Sequence, residues 1–393
     1  MARPPAPGRV IRQDDDIRRL RPRRVGDLVV EPAVPEDEPE LRRLLRDNPM
    51  DGEIRVSLER EPNAFLAAAV EGEPHHTIVA REIAGSGIVG MGSRSVWNAF
   101  VNGEPRRLGY LSQLRVDRAF RGQKRLLTAG YDLIRSFREP GEAPFDVTSI
   151  IADNEVARRL LSAGLPGLPT YRELEPFATL ILPAGRARRA EGSVRVERGS
   201  RERMKEVEAC LERNRCRYQL APRFTVEDLL SPERSRGLAP EDFYLAMAGG
   251  EVVGCLSLWN QSSFKQVVVR GYGRRLRRFR PWINRLSPFL KTPRLPEPGQ
   301  ILPHSWLAHV AVDGDDPGVF QALVEAAHRD ASARGDTYVV IGLAARHPWV
   351  AWLRKRFRAR EYRSVLYAVF WEDGREAVES LDGRMPHLEA ALL

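Results

Sequence analysis

The sequence predicts a mixed α/β protein of two similar domains in tandem, each with a central, mostly antiparallel sheet (an α+β arrangement) flanked by helices. Three observations lead there. A chain of 393 residues is too long for one ordinary hydrophobic core and suits two. The order of strand-like and helix-like segments in the first half recurs in the second. Each half is also centred on an apolar strand, a polar loop and an amphipathic helix, a switch of hydrophobic period from two to 3.6.

In chain order, residues 1–25 are rich in Pro, Arg and Asp without an apolar period and read as a disordered or loosely docked extension. Leu28 to Glu31 reads as a strand. Pro35 to Arg46 reads as a helix with its acids first and its arginines last, the order that suits the helix dipole. Glu53 to Arg60 reads as a looser helical segment, followed by strands at Ala64 to Val70, His76 to Glu82, Ile88 to Phe100 and Arg107 to Val116. The turns Glu71-Gly72-Glu73-Pro74 and Asn102-Gly103-Glu104-Pro105 suit antiparallel connections. Leu126 to Phe137 then has apolar residues at helical spacing. Asp146 to Ile151 is a buried-looking strand, Asn154 to Ala163 a helix and Phe177 to Leu182 a closing strand, which gives a first domain over residues 26–183 and a linker over 184–192.

The second domain, residues 193–372, repeats the order. Val194 to Arg198 is a strand, Arg201 to Arg213 and Thr225 to Leu230 are helices, and Phe243 to Ala248 with Glu251 to Leu258 form a hairpin around Gly249-Gly250. Ser305 to Val312, Pro317 to Ala333, Tyr338 to Leu343, Pro348 to Phe357 and Glu361 to Trp371 complete it, and residues 373–393 form a C-terminal tail. The central strands lie about 196 residues apart and the domain starts about 166 apart, so the second copy carries an insertion of about 30 residues, near 262–298.

A formal charge of +9 implies an anionic partner of some kind. Three cysteines (Cys210, Cys216, Cys255) are too few for a disulfide scaffold and lack zinc-ligand spacing, so they read as reduced thiols of a cytoplasmic protein. No apolar run reaches the roughly 20 residues that span a bilayer, and no export signal is expected.

The most informative stretch is Tyr110 to Phe137. Between its strand and its helix lies the loop Asp117 to Arg125, with Arg118, Arg121, Lys124, Arg125 and one glycine, Gly122. The free N–H groups of a helix's first turn, its dipole and these cations together make an anion site.

With its basic loop between the fourth strand and the following helix, the chain resembles the GNAT superfamily of acyl-CoA-dependent N-acyltransferases, in tandem, well over residues 28–183 and weakly over 194–372. In that family the loop wraps the pyrophosphate of coenzyme A. The resemblance implies acetyl-CoA or another acyl-CoA as co-substrate, no metal, and a cofactor site of Leu114, Val116, Arg121, Gly122, Gln123, Lys124, Arg125, Leu126 and Asn154. Arg121 fits the first loop position, while Lys124 and Leu126 stand where two small residues belong. Asn154 and Ala157 match the family's next helix. Leu161 stands where many members have a tyrosine that protonates the departing thiolate, for which Tyr171 and Tyr110 are substitutes. Deprotonation of the acceptor amine needs a carboxylate, histidine or water chain. Glu82 and the pair His75-His76 are the candidates, the histidines reading more simply as exposed residues at a strand entrance. Gln113 can orient a water or substrate. The catalytic set is therefore Glu82, Gln113 and Tyr171.

The matching loop of the second domain, Asp313-Gly314-Asp315-Asp316-Pro317, sets three carboxylates where a pyrophosphate would sit, so that domain is a degenerate copy not expected to bind coenzyme A. Asp315 or Asp316 is expected to cap the next helix. From Phe264 to Leu295 the insertion has ten Lys or Arg and no acid, which leaves −1 for everything else. Leu276, Phe279, Ile283, Leu286 and Leu290 share one helical face, broken or kinked by Pro281 and Pro288. This segment reads as a cover helix or as a docking surface for an anionic partner: a lipid surface, acidic protein or, least favoured, nucleic acid. Two functions remain: transfer of an acyl group, acetyl expected before any other, from acyl-CoA to a primary amine of a small molecule or peptide, or a catalytically inactive tandem fold that binds an anionic partner through the insertion.

Overall fold

A computed structural model of the protein describes residues 21–50, 52–85, 87–185, 194–290 and 294–393. The first half contributes β1 (Arg23–Val25), β2 (Leu28–Pro32), β3 (Ile54–Glu59), β4 (His75–Glu82), β5 (Ile88–Val101), β6 (Glu104–Val116), β7 (Glu142–Ile151) and β8 (Thr170–Pro183). The second contributes β9 (Arg195–Arg198), β10 (Ala221–Pro222), β11 (Phe243–Ala248), β12 (Glu251–Trp259), β13 (Gln266–Tyr272), β14 (His304–Val312), β15 (Tyr338–Ala344) and β16 (Arg360–Phe370).

Both halves join one sheet in the order β1-β2-β4-β5-β6-β7-β16-β8-β15-β14-β12-β11-β9. The last strand of each half crosses to the other. β16 lies between β7 and β8, and β8 lies between β16 and β15. The exchange leaves no unpaired strand edge in the middle of the molecule, where one would be costly. Two pairs are parallel, β6 with β7 and β14 with β15. Both are joined by long helices, Lys124–Ser136 and Pro317–Ala333, whose apolar faces cover the sheet.

These parallel pairs come apart. β6 pairs with β7 only from Arg107 to Tyr110, although β6 runs on to Val116 and β7 to Ile151. The cause is a bulge. Between Met91↔Arg115 and Ser93↔Ser112, three steps of β6 oppose two of β5, and Gln113 takes a positive φ of 55°. A bulge bends its strand and leaves a residue out of the ladder. The second half repeats the device: Cys255↔Ala311 gives way to Ser257↔Ala308, and His309, 196 positions after Gln113, has φ 54°.

Several expectations are corrected. Glu53 to Arg60 is not helical but forms β3, in which Ile54, Val56 and Leu58 alternate, and it pairs with β13 more than 200 residues away in sequence. Ala64 to Val70 is not a strand but a helical segment, Ala64–Glu71, started by the Asn63 side chain accepting from the Phe65 N–H. Its alanines favour helix and it has no alternation to suit a sheet. Of the expected extension, residues 1–20 lie outside the described residues, and Arg23–Val25 pair with β2. Most of the expected linker, residues 186–192, also lies outside them. The C-terminal tail is packed rather than appended: Leu388, Ala391 and Leu392 are buried between the halves. In the insertion, Arg274–Leu290 is one helix that Pro281 and Pro288 do not end. Cys210 and Cys255 are buried free thiols.

Candidate active site

The separation of β6 from β7 opens a cavity of about 520 Å³. The bulged end of β6 and the helix Lys124–Ser136 form one wall, and Phe177 of β8 and Val340 of β15 belong to the opposite one. Val56 and Leu58 of β3 with Val267 of β13 roof it, so the insertion of the second half closes a site centred in the first. The lining is mostly apolar, as pockets for organic ligands of this size are.

The expected cofactor residues gather at this site. Leu114, Val116, Leu126 and Asn154 line the cavity. Gln113 and Leu114 have no register partner on β5, which leaves backbone groups of the bulge facing the cleft. Beyond Val116, the loop stays exposed. Arg121 holds it in shape through Nε to the Val116 carbonyl, 3.0 Å, and Nη2 to Asn48 Oδ1, 2.9 Å. Gly122, at φ +85°, takes a conformation that L side chains rarely adopt, with open space around it. Gln123 caps the helix without a side-chain bond; its carbonyl accepts from the Leu126 N–H at 3.1 Å, and the N–H groups of Lys124 and Arg125 stay available. Lys124 and Arg125 are exposed, and neither has an ion pair among the described residues. Asn154 Oδ1 accepts from the Ala157 N–H at 3.1 Å and starts its helix.

Of the expected catalytic residues, Gln113 and Tyr171 line the cavity and Glu82 does not. Glu82 ends β4, two strands away from β6, and lines a shallow hollow with Arg24, Arg81 and Gly85. Tyr171 shares a hydrogen bond with Tyr131. Burial and that neighbour raise the Tyr171 hydroxyl well above its ordinary range. Tyr110 also lines the cavity, bonds to Ser149 Oγ at 2.8 Å and is pushed up by burial to about 12. Both phenols are therefore protonated near neutral pH. The histidines are not exposed. His75 is enclosed, with Nδ1 2.8 Å from Ser95 Oγ, and His76 stacks on Phe137 and is lowered by burial to about 4.

A polar cluster behind the bulge has no local signal in the sequence. Gln113 Nε2 donates to Glu71 Oε2 at 3.1 Å. Glu71 is buried, is paired to Arg60, and lies 3.6 Å from Lys265 Nζ and 3.9 Å from His75 Nδ1. Burial alone would raise its carboxyl, but Arg60 and then Lys265 bring it below the usual range. Two cations face one carboxylate, and Arg60 makes the tighter pair. Lys265 is therefore the group that yields its proton most readily, lowered to about 7 by burial first and by Arg60 second. Its Nζ also donates to the backbone oxygens of Ala391, 3.1 Å, and Leu393, 2.9 Å. Lys265, Arg60 and Leu393 all line the cavity. In the sequence Glu71 stands in a turn signal, and only the long-range fold brings Lys265 to it.

In the second half the corresponding cleft is filled. The tail enters between β14 and β15, where Gly342 leaves room for Ala390. Asp313 is held by Arg213 and Asn214, Asp315 by Arg217 and Tyr218, and Asp316 caps the helix by accepting from the Val319 N–H at 2.9 Å.

Among the described residues, no group of His, Cys, Asp and Glu has the arrangement of a metal site, and no helix is long and apolar enough to cross a membrane. No protein-family model and no curated relative matches the sequence. The structure is similar to Saccharomyces cerevisiae N-myristoyltransferase with bound myristoyl-CoA, at a TM-score of 0.59 and 12% identity over 89% of this chain and 84% of that one. It is also similar to a GCN5-related N-acetyltransferase from Sphaerobacter thermophilus, at a TM-score of 0.53 and 16% identity over 88% and 96%. At such identities the likeness is one of fold: two units of GNAT-like fold in tandem on one mixed sheet, as the sequence pattern implies.

Proposed function

We propose that the protein is an acyl-CoA-dependent N-acyltransferase whose first half holds the donor, and that its acyl group is longer than acetyl. The observation that carries this reading is the apolar cavity opened by the Gln113 bulge, continuous through Val116 and Leu126 with the basic loop. Coenzyme A would set its pyrophosphate on the loop, at the first turn of Lys124–Ser136 with Lys124 and Arg125 beside it. The pantetheine arm would follow β6, and the acyl chain would lie among Leu111, Leu126, Ile134 and Ile150. An acetyl group would leave most of that apolar volume unfilled.

In the reaction, the acceptor's nitrogen attacks the thioester carbonyl, the C–N bond forms, the C–S bond breaks and coenzyme A leaves as the thiol. A backbone N–H at the bulge, near Leu114, suits the oxyanion of the tetrahedral intermediate. Lys265 is the group matched to neutral pH for taking the amine's proton, since its neutral form still offers two N–H bonds to Ala391 and Leu393 and keeps a lone pair. Glu71 and Gln113 position it. Tyr171 or Tyr110, each kept protonated, can supply the thiolate's proton. The acceptor is a primary amine of a small molecule or peptide.

Calorimetric titration with acetyl-CoA, octanoyl-CoA and myristoyl-CoA tests this. Affinity is expected to rise with chain length and to fall about tenfold or more when Lys124→Ala and Arg125→Ala are combined, as expected for two charge-assisted contacts. Equal binding of acetyl-CoA and myristoyl-CoA would refute the long-chain reading. Absence of binding by every thioester would refute the enzyme.

A further inference from the structure

The helix Arg274–Leu290 has an apolar face wider than the part it buries. Leu276 and Ile283 pack inward against Val269, Tyr272 and Leu295. Arg280 is tied inward too, through Nε to the Leu295 carbonyl at 3.1 Å and Nη2 to Glu297 at 3.0 Å. Phe279, Trp282 and Leu286, spaced three and four apart, lie beside that packed part on the solvent edge of the apolar face and are 54%, 66% and 48% exposed. Arg274, Arg275, Arg277, Arg278 and Arg285 are exposed on the same helix, and among the described residues none of the five has an ion pair. There is no acid from residue 264 to 295 to neutralise them.

A helix that only covers a core shows charge to the solvent and keeps its large apolar residues inside. This one shows both. We propose that it is a docking surface for an anionic phospholipid bilayer. It lies flat in the interface, with Phe279, Trp282 and Leu286 at the boundary of headgroups and acyl chains and the arginines at the level of the lipid phosphates. Nucleic acid would use the arginines but has no comparable use for an aliphatic residue such as Leu286 in the same strip. A bilayer uses both.

The position in the fold adds a reason. The helix directly follows β13, whose Val267 roofs the cavity, and its inner face packs on Val269, Tyr272 and Leu295, the cluster on which Leu302 of the cavity lining also packs. Docking therefore sets the roof of the cavity against the bilayer, where long acyl chains and amines attached to lipid concentrate. The lipid attachment stands apart from the acyl-transfer chemistry and is measured separately from it.

The test is flotation of the full-length chain with vesicles of phosphatidylcholine alone and of phosphatidylcholine mixed equally with phosphatidylglycerol. Binding is expected to the mixed vesicles only, to weaken as salt rises, and to be accompanied by quenching of Trp282 fluorescence by brominated lipid that Trp282→Phe removes. Combined Phe279→Ser, Trp282→Ser and Leu286→Ser should weaken partition at least about tenfold. Arg274→Gln, Arg278→Gln and Arg285→Gln should weaken it about fivefold each. All six lie on the outer surface, so unfolding curves and turnover of a water-soluble short-chain acyl-CoA should match the parent. Equal binding to both vesicle types, or to neither, overturns the proposal. So does binding that needs the arginines but survives the serine variant, and competition by RNA would then point to nucleic acid.

Discussion

The backbone N–H of His309 donates to the Glu389 carboxylate at 2.8 Å, deep in the second half. His309 holds the place that Gln113 holds in the first half, the positive-φ residue of a bulge beside a parting pair of parallel strands. In the first half that place borders a cavity. In the second, the chain's own tail occupies the equivalent cleft, and the same carboxylate accepts from Arg215 Nη2 at 2.7 Å. An anion thus sits at the second bulge without any ligand.

This pairing makes Glu389 a structural residue. Replacement by alanine leaves Arg215 buried and unpaired, which should cost about 3–5 kcal/mol, whereas Glu389→Gln keeps an acceptor for His309 and should cost less. Denaturant unfolding of both variants checks the order. Equal losses would mean that the charge pair, rather than the His309 bond, carries the whole effect.

If Lys265 takes the acceptor's proton, kcat/KM should rise with pH through about 7 and level off above it, because the neutral amine is the active form. Lys265→Met should lower kcat/KM by about 10²- to 10⁴-fold and abolish that limb. A parent profile flat from pH 5.5 to 8.5, a window chosen to bracket about 7, would exclude this role.

The same group links stability to pH. Folding lowers Lys265 to about 7 from an ordinary value of about 10.4, so between these values the unfolded chain binds more protons than the folded one. Stability contributed here is complete above the unfolded pKa and is lost as pH falls towards 7. The slope is at most about 1.4 kcal/mol per pH unit. The difference in unfolding free energy between the parent and Lys265→Met, measured from pH 7 to 10, should carry that positive slope.

Gly92 of β5 lines the cavity, and a Cβ there would meet Ile78 and Ile134 only at ordinary contact, 3.8 and 3.9 Å. Gly92→Ala therefore fits the strand and narrows the cavity by one methyl group. It should shift preference from myristoyl-CoA towards shorter thioesters by at least about tenfold in relative kcat/KM, the discrimination of one or two methylenes. Unchanged preference would place the acyl chain elsewhere.

Much of the fold could be read directly because its signals are local. Helix Pro317–Ala333 and helix Pro348–Phe357 are bounded by Pro at the first turn and an apolar period, and the Asn102-Gly103 and Gly249-Gly250 hairpins carry the residues that their positive φ angles require. The loop residues Arg121 to Arg125 were visible for the same reason. β3 is not legible locally although Ile54, Val56 and Leu58 alternate, because its partner, β13, lies in the insertion. Glu82 is the acid that the strand pattern singles out, and nothing local in the turn signal Glu71-Gly72-Glu73-Pro74 tells that Glu71 faces Gln113.

By itself the sequence determined the tandem repeat, the basic loop, the acidic loop of the second copy and the concentration of positive charge in the insertion. These follow from residue type and spacing within a few turns of chain. The tertiary structure alone decided the exchange of β8 and β16, the cavity at the Gln113 bulge, the meeting of Glu71, Arg60 and Lys265, and the tail in the second cleft. Each depends on contacts between distant segments, whose energies come from burial and from charge neutralisation in low dielectric. Neither leaves a pattern in neighbouring residues.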